Sequence, residues 1–305
     1  MQGTVVKSTG SWYRILSADG TVADARIRGK LRLQGLDTTN PVAVGDHVVI
    51  QAEGNTDLLV ISEVLPRRNY LIRRSNNLSR QRQILAANLD QAALVVTLMA
   101  PATSTGFIDR FLVTCEAYHV PALLIINKTD MLAGAEEALM EFSNMYASLG
   151  YPVIPVSAKT GRGLDALDSL MAGKTSLISG HSGVGKTTLI NRLIPGLGLK
   201  TGAISTAHEK GKHTTTFAEM HFLPEGGALI DTPGIRDLGV VDLEPREISH
   251  YFAEMRPLIS KCRFNNCLHM QEPGCAVLLA LEQGTIAPER YYNYLSILNN
   301  ENVFR

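Results

Sequence analysis

The sequence predicts three consecutive parts: an all-β barrel of the OB type over residues 1–66, a central α/β domain over 67–240, and a mainly helical, metal-binding module over 241–305. Three observations predict it. The first 66 residues break into short strand-like runs separated by turn signals. From about residue 90, apolar strands alternate with amphipathic helices around one glycine-rich loop. After 240 the pattern turns helical around a cluster of cysteines and one histidine.

In the first part the strand-like runs are GTVVKS, WYRILS, ADARIRGKLRL, GDHVVI and LLVISEVL, with Asp19-Gly20 as a hairpin signal between two of them. Five strands in about sixty residues suit a small closed barrel. Within ADARIRGKLRL, Arg26, Arg28, Lys30 and Arg32 recur at period two, which places them on one strand face opposite Ala25, Ile27, Leu31 and Leu33. The following stretch RRNYLIRRSNNLSRQR (67–82) carries six arginines and no acid. Both patches suit a phosphate backbone; a solvated barrel face and a polar linker are the alternative readings. The whole chain is neutral, with 29 basic and 29 acidic residues, so nucleic-acid contact has to come from such local patches.

No secretory signal is evident in MQGTVVKSTGSWYRIL, and the longest apolar runs, such as AALVVTLMA (92–100), are too short to span a bilayer. The expectation is a cytoplasmic chain with no membrane partner.

The central part begins with AALVVTLMA as a buried parallel strand, followed by a helix over 107–119. PALLIINKTD ends a second strand, 135–149 is a second helix, and YPVIPVSAK, TSLISG and GGALIDTPG are further strands, with GKTTLINRLI a helix between the last two. Such alternation implies a parallel sheet covered by helices on both faces. Gly180, His181, Ser182, Gly183, Val184, Gly185, Lys186 and Thr187 fit G-x-x-x-x-G-K-[ST] at every fixed position, with a strand before and a helix, opening on Thr188, after. The glycines let backbone N–H groups turn onto phosphate oxygens, and the helix N-terminus adds its positive dipole. Lys186 would neutralise β- and γ-phosphates, and Thr187 would ligate Mg²⁺. Downstream, GALIDTPG (227–234) places Asp231 where a strand-end acid would hold Mg²⁺ and Gly234 where a backbone N–H would approach a γ-phosphate.

Asn127-Lys128-Thr129-Asp130 resembles the N-K-x-D motif of the translation-factor class of GTPases. A carboxylate at Asp130 accepts from guanine N1–H and the 2-amino group, which adenine does not offer, so a P-loop ATPase or kinase is disfavoured. Ser157-Ala158-Lys159 resembles the accompanying S-A-K loop, whose backbone reads guanine O6. The motif order is therefore base, base, phosphate, switch and Mg²⁺ acid: a circular permutation of the GTPase fold. With the barrel before and the Cys/His cluster after, the whole chain resembles the ribosome small subunit-dependent GTPase A family, most specifically in that order, in GKHTTT (211–216) and in DTPGIRD (231–237). The permutation lets the chain after Gly234 leave the nucleotide domain and enter a separate module, so that nucleotide state would set that module's orientation.

Residues 198–216, GLKTGAISTAHEKGKHTTT, read as a switch loop. The resemblance implies that Thr215, or its neighbour Thr214, coordinates Mg²⁺ when the γ-phosphate is present. Ile235 stands where small signalling GTPases carry a water-orienting Gln, and an aliphatic chain cannot orient water. His213 is the candidate for that task, a solvent-exposed loop histidine being the other reading. Hydrolysis is expected to be slow until a partner orders the loop.

Cys262, Cys267, His269 and Cys275 offer three thiolates and one imidazole, which closes a tetrahedron around one structural Zn²⁺. A module of about 65 residues is marginal as an apolar core, so a metal staple makes physical sense. Cys115, alone on the apolar face of a helix, reads as core. The resemblance implies a monomer that hydrolyses GTP to GDP with Mg²⁺, acts in late maturation or checking of the small (30S) ribosomal subunit, contacts its rRNA and leaves on hydrolysis. A nucleotide-gated RNA-binding scaffold with incidental hydrolysis is the alternative.

Overall fold

The computed structural model describes residues 1–27, 41–53, 58–74, 82–200, 218–232 and 243–299. At the N-terminus, β1 (Gln2–Ser8), β2 (Tyr13–Ser17), β3 (Val22–Ile27), β4 (His47–Ala52) and β5 (Leu59–Val64) pair in the order β1-β2-β3-β5-β4. The last strand returns to the first, with Gln2 opposite Val49, and this closes the expected barrel. Period-two alternation turns Val5, Tyr13, Ile15, Ala25, Val48, Ile50 and Ile61 into its interior. Gly20 makes the β2–β3 turn at φ +83°, a left-handed conformation that glycine adopts without steric cost.

The arginine-rich stretch is more than a linker. β6 (Tyr70–Arg74) and β7 (Arg82–Ala87) form an antiparallel hairpin of their own. It buries Leu71, Ile72, Ile84 and Leu85 between the barrel and the central domain. The Arg67 guanidinium grips buried Asp46 with two bonds of 2.6 and 2.7 Å, Arg68 pairs with Asp90, and Arg73 donates to Gln83. Arg67 is thus a structural clamp on the barrel, not a cation free to meet a phosphate. Arg26 is exposed on β3 with Ala25 turned inward, as period two requires. Arg28, Lys30 and Arg32, and the side chains of Arg74, Arg80 and Arg82, lie outside the described residues.

The central sheet contains β8 (Gln91–Val96), β9 (Ala122–Ile126), β10 (Val153–Pro155), β11 (Thr175–Ser179), β12 (Glu219–Phe222) and β13 (Ala228–Asp231). Strands β10-β9-β8-β11-β13 run parallel. Every residue of β8 is buried, because helices cover both faces. Leu94 and Val96 face the layer of α1 (Thr105–Ala117) and α2 (Glu136–Ala147). Ala93 and Val95 face α3 (Leu164–Met171) and α4 (Lys186–Leu193). One strand departs from the expected parallel pattern: β12 runs antiparallel to β13. Beyond it β1 joins in turn, with Lys7 opposite Glu219 and their side chains paired at 2.9 Å. Barrel and central sheet thus share one continuous eleven-stranded ladder.

Residues 246–259 form no single helix, contrary to the sequence expectation. Two 3₁₀ stretches, Pro245–Tyr251 and Arg256–Lys261, flank Phe252, which is buried in extended conformation. Phe252 leaves the helical region and buries its ring in the apolar cluster with Met255 and Tyr294, while Pro257 lies at the start of the second stretch, where its missing N–H costs no internal bond. α5 (Ala276–Glu282) and α6 (Pro288–Leu298) form as expected. Val113 of α1 joins Phe252, Met255, Val277, Tyr291, Tyr294 and Ile297 in one apolar cluster, so the C-terminal module borrows its core wall from the central domain. Cys115, on the same helix, is fully buried.

Candidate nucleotide and metal sites

Asn127, Ser157, Gly180 and Asp231 all lie at the carboxyl ends of strands of the parallel sheet, the edge at which open α/β sheets bind ligands. Asn127, buried just after β9, holds the edge together. Its side-chain amide donates to the Val184 carbonyl (2.8 Å) in the glycine-rich loop, and its oxygen accepts the Ala158 N–H (3.0 Å). A β-carbon on Gly185 would lie 2.5 Å from that amide nitrogen, so only glycine lets the two motifs approach this closely. Lys128 sits in the left-handed region (φ 63°) and donates from Nζ to the Ala100 carbonyl (2.6 Å). Thr129 is buried, whereas Asp130 is exposed and accepts the Ser157 hydroxyl (2.7 Å). The Ser157 oxygen in turn accepts the Thr160 N–H. Lys159 is exposed, and Arg192 of α4 ties down the carbonyls of Ala158 and Lys159.

The glycine-rich loop runs from buried Gly180 through His181, exposed Ser182 and Gly183, and buried Val184 into α4, whose first turn carries Lys186, Thr187 and Thr188. The Lys186 ammonium donates to the Asp231 carboxylate and to the Thr232 carbonyl (2.8 Å). A phosphate at Lys186 and a cation at Asp231 would therefore be neighbours, as a phosphate-bound Mg²⁺ requires, and the residues present fit the group. Thr214, Thr215, His213, Gly234 and Ile235 lie outside the described residues.

In the C-terminal module the donor atoms of Cys262, Cys267, His269 and Cys275 all lie within 4.8 Å of one another. The His269 Nδ1 faces the sulfurs of Cys275 (3.3 Å) and Cys262 (3.6 Å), so Nδ1 is the nitrogen placed for a metal. Burial raises the thiols of Cys267 and Cys275 above their ordinary range and keeps the imidazole neutral by lowering its pKa. Three sulfurs and a neutral nitrogen in a closed cage fit Zn²⁺. Tyr291 and Tyr294 fix the loop by donating their hydroxyls to the carbonyls of His269 and Leu268, both at 2.7 Å. Sequence reasoning missed these two tyrosines, since nothing in their helical spacing distinguishes a loop anchor from a core residue.

The family described as RsgA GTPase matches residues 64–241, and the RsgA N-terminal domain matches residues 2–60. A protein of Bacteroides fragilis named small ribosomal subunit biogenesis GTPase RsgA is 50% identical over 304 residues, covering 99% of this chain and 97% of that protein. A protein of the same name from Porphyromonas gingivalis is 51% identical over 310 residues, covering 100% and 98%. Among solved structures, YjeQ from Thermotoga maritima aligns over 100% of this chain and 99% of its own, with a TM-score of 0.78 at 36% identity. YloQ, a circularly permuted GTPase, covers 98% and 94% with a TM-score of 0.72 at 30% identity. No helix among the described residues is long and apolar enough to cross a membrane. The central domain is a circularly permuted GTPase domain that hydrolyses GTP, and the chain belongs to the RsgA GTPase family.

Proposed function

We propose that this chain is a GTP-driven factor of small ribosomal subunit maturation, bound to the subunit and its rRNA in the GTP state and released when hydrolysis is stimulated there. The observation that carries it is the pair of hydrogen bonds Asn127 makes, donating to the Val184 carbonyl and accepting from the Ala158 N–H, which joins base-reading and phosphate-binding loops into one guanine-nucleotide cleft. Asp130, exposed at the rim and oriented by Ser157, accepts from guanine N1–H and the 2-amino group. The Ala158 N–H is engaged by Asn127 and the Thr160 N–H by Ser157, which leaves the Lys159 N–H to read O6. Lys186 neutralises the β- and γ-phosphates, and Thr187, Thr215 and Asp231 hold Mg²⁺, which supplies charge neutralisation on those phosphates when bound. Residues 1–66 serve as the rRNA-binding barrel, 67–240 as the GTPase and 241–305 as a zinc-stapled docking module, in a cytoplasmic monomer. His213 orients the attacking water on the subunit.

The test is GTP and ATP turnover in Mg²⁺ with and without purified small subunits. Slow, GTP-selective turnover accelerated at least tenfold by the subunit is the expected result. GTP turnover indifferent to the subunit would keep the GTPase and remove the subunit as its partner, whereas equal RNA binding in either nucleotide state would point to an RNA-binding scaffold with incidental hydrolysis.

A further inference from the structure

Thr103 belongs to none of the nucleotide motifs, yet it sits against the glycine-rich loop. It lies in the connection from β8 to α1, is buried (9% exposed), and its hydroxyl is 2.7 Å from Nε2 of His181. Nδ1 of the same ring is 3.0 Å from the Ser182 carbonyl oxygen. That oxygen can only accept, so Nδ1 carries the proton, and in the neutral ring Nε2 is the acceptor. The Thr103 hydroxyl therefore donates to Nε2, while its oxygen accepts the Thr97 N–H at 3.0 Å. Phe107 meets the His181 ring edge-on with centroids 5.9 Å apart. Each polar atom in this chain has one consistent role, and the chain ends on the carbonyl of the 182–183 peptide.

In a trans peptide the C=O and N–H point in opposite directions. A Ser182 carbonyl held by the imidazole therefore fixes the Gly183 N–H on the opposite side of that peptide, away from the ring. The same connection also packs against the loop at Gly183, where a β-carbon would lie 3.2 Å from the Pro101 ring. We infer that Thr103 is a positioning residue for GTP hydrolysis: through His181 it fixes the 182–183 peptide plane so that the Gly183 N–H is presented to the nucleotide's phosphates beyond the first. This rests on residues 180–187 being the phosphate cradle.

The experiment is GDP and GMP affinity, by calorimetry or competition, for the full chain and for Thr103→Val, Thr103→Ser, His181→Leu and the double variant Thr103→Val/His181→Leu. GDP and GMP share the base and the α-phosphate, so a general loss of structure weakens both equally. Loss of one oriented neutral hydrogen bond predicts a GDP affinity lower by roughly 5- to 10-fold in Thr103→Val and His181→Leu, with GMP unmoved. Thr103→Ser recovers the GDP affinity, and the double variant is no worse than His181→Leu, because Thr103 acts through the ring. Equal losses for GMP and GDP, additive losses in the double variant, or no loss at all would each overturn the role. Lys186→Ala separates the two levels of the inference. GDP binding unchanged in that variant removes the cradle assignment, whereas GDP lost there but kept in Thr103→Val and His181→Leu removes only the positioning role.

Discussion

Arg290, in the first turn of the last helix, forms a fully buried ion pair with Asp109 of α1, although 181 residues separate them. Glu254 takes the other edge of the same guanidinium at 2.7 and 3.0 Å, and Asn293 and Tyr146 donate to Asp109. Phe252 stacks under the guanidinium at 4.7 Å. One cation thus holds a carboxylate of the GTPase domain and one of the C-terminal module, where the planar fork of arginine suits two-sided pairing better than lysine would.

Arg290→Met is expected to destabilise the chain by about 3–5 kcal/mol, because it leaves two carboxylates buried without their neutralising cation. Adding Asp109→Leu and Glu254→Gln should restore part of that loss. Urea denaturation of the three chains checks it, and a single-variant cost below about 1 kcal/mol would show that water reaches the cluster.

Burial pushes the Asp109 carboxyl up to about 6 against the pull of Arg290. The folded chain therefore binds this proton more tightly than the unfolded one. The contribution is fully present below the ordinary value of 3.8 and is lost as pH rises through about 6. The melting temperature of the wild type minus that of Asp109→Asn should move in the wild type's favour as pH falls from about 8 to about 5. A difference that is flat in pH would refute the shift.

Asn127→Ala removes both bonds between the base-reading and phosphate loops and leaves the Val184 carbonyl and Ala158 N–H unpaired. The expected cost is about 2 kcal/mol or more in nucleotide binding, roughly 30-fold in the Kd for GTP and GDP alike. Asp130→Asn, by contrast, should weaken guanine nucleotides and erode the preference over ATP. Fluorescent-nucleotide titration distinguishes the two patterns.

Metal analysis of the purified chain should give one Zn²⁺ per molecule, and Cys275→Ser should lose most of it. Stripping the metal with a strong chelator should collapse the near-ultraviolet tyrosine signal, since Tyr291 and Tyr294 are anchored to the cage. Trp12, an exposed residue of the barrel, provides the internal control and should keep its signal.

The grouping of residues at both candidate sites was legible because it resides in short spacings. Gly180 to Thr187 must be contiguous to cradle a phosphate, Asn127 to Asp130 must share one strand end, and four donors within fourteen residues can close on one ion only locally. The barrel strands and parallel core strands were legible for a related reason: period two and continuous apolar runs report how many faces a strand buries. The helix expected over 246–259 failed because apolar spacing alone does not show that Phe252 leaves the helical region to join the core, with a second 3₁₀ stretch starting at Arg256.

What the sequence determined by itself, then, is which groups form the candidate nucleotide and metal sites, and the permuted order of the motifs that carry them. Only the tertiary structure decided how the parts are joined. The β1–β12 ladder that fuses barrel to sheet, the withdrawal of Arg67 into a pair with Asp46, the Asp109–Arg290 clamp and the bond from Thr103 to His181 all arise between surfaces that meet after the chain has closed. A local pattern states what a residue can do; its partner across a fold is set by packing, which no neighbouring residue in the sequence records.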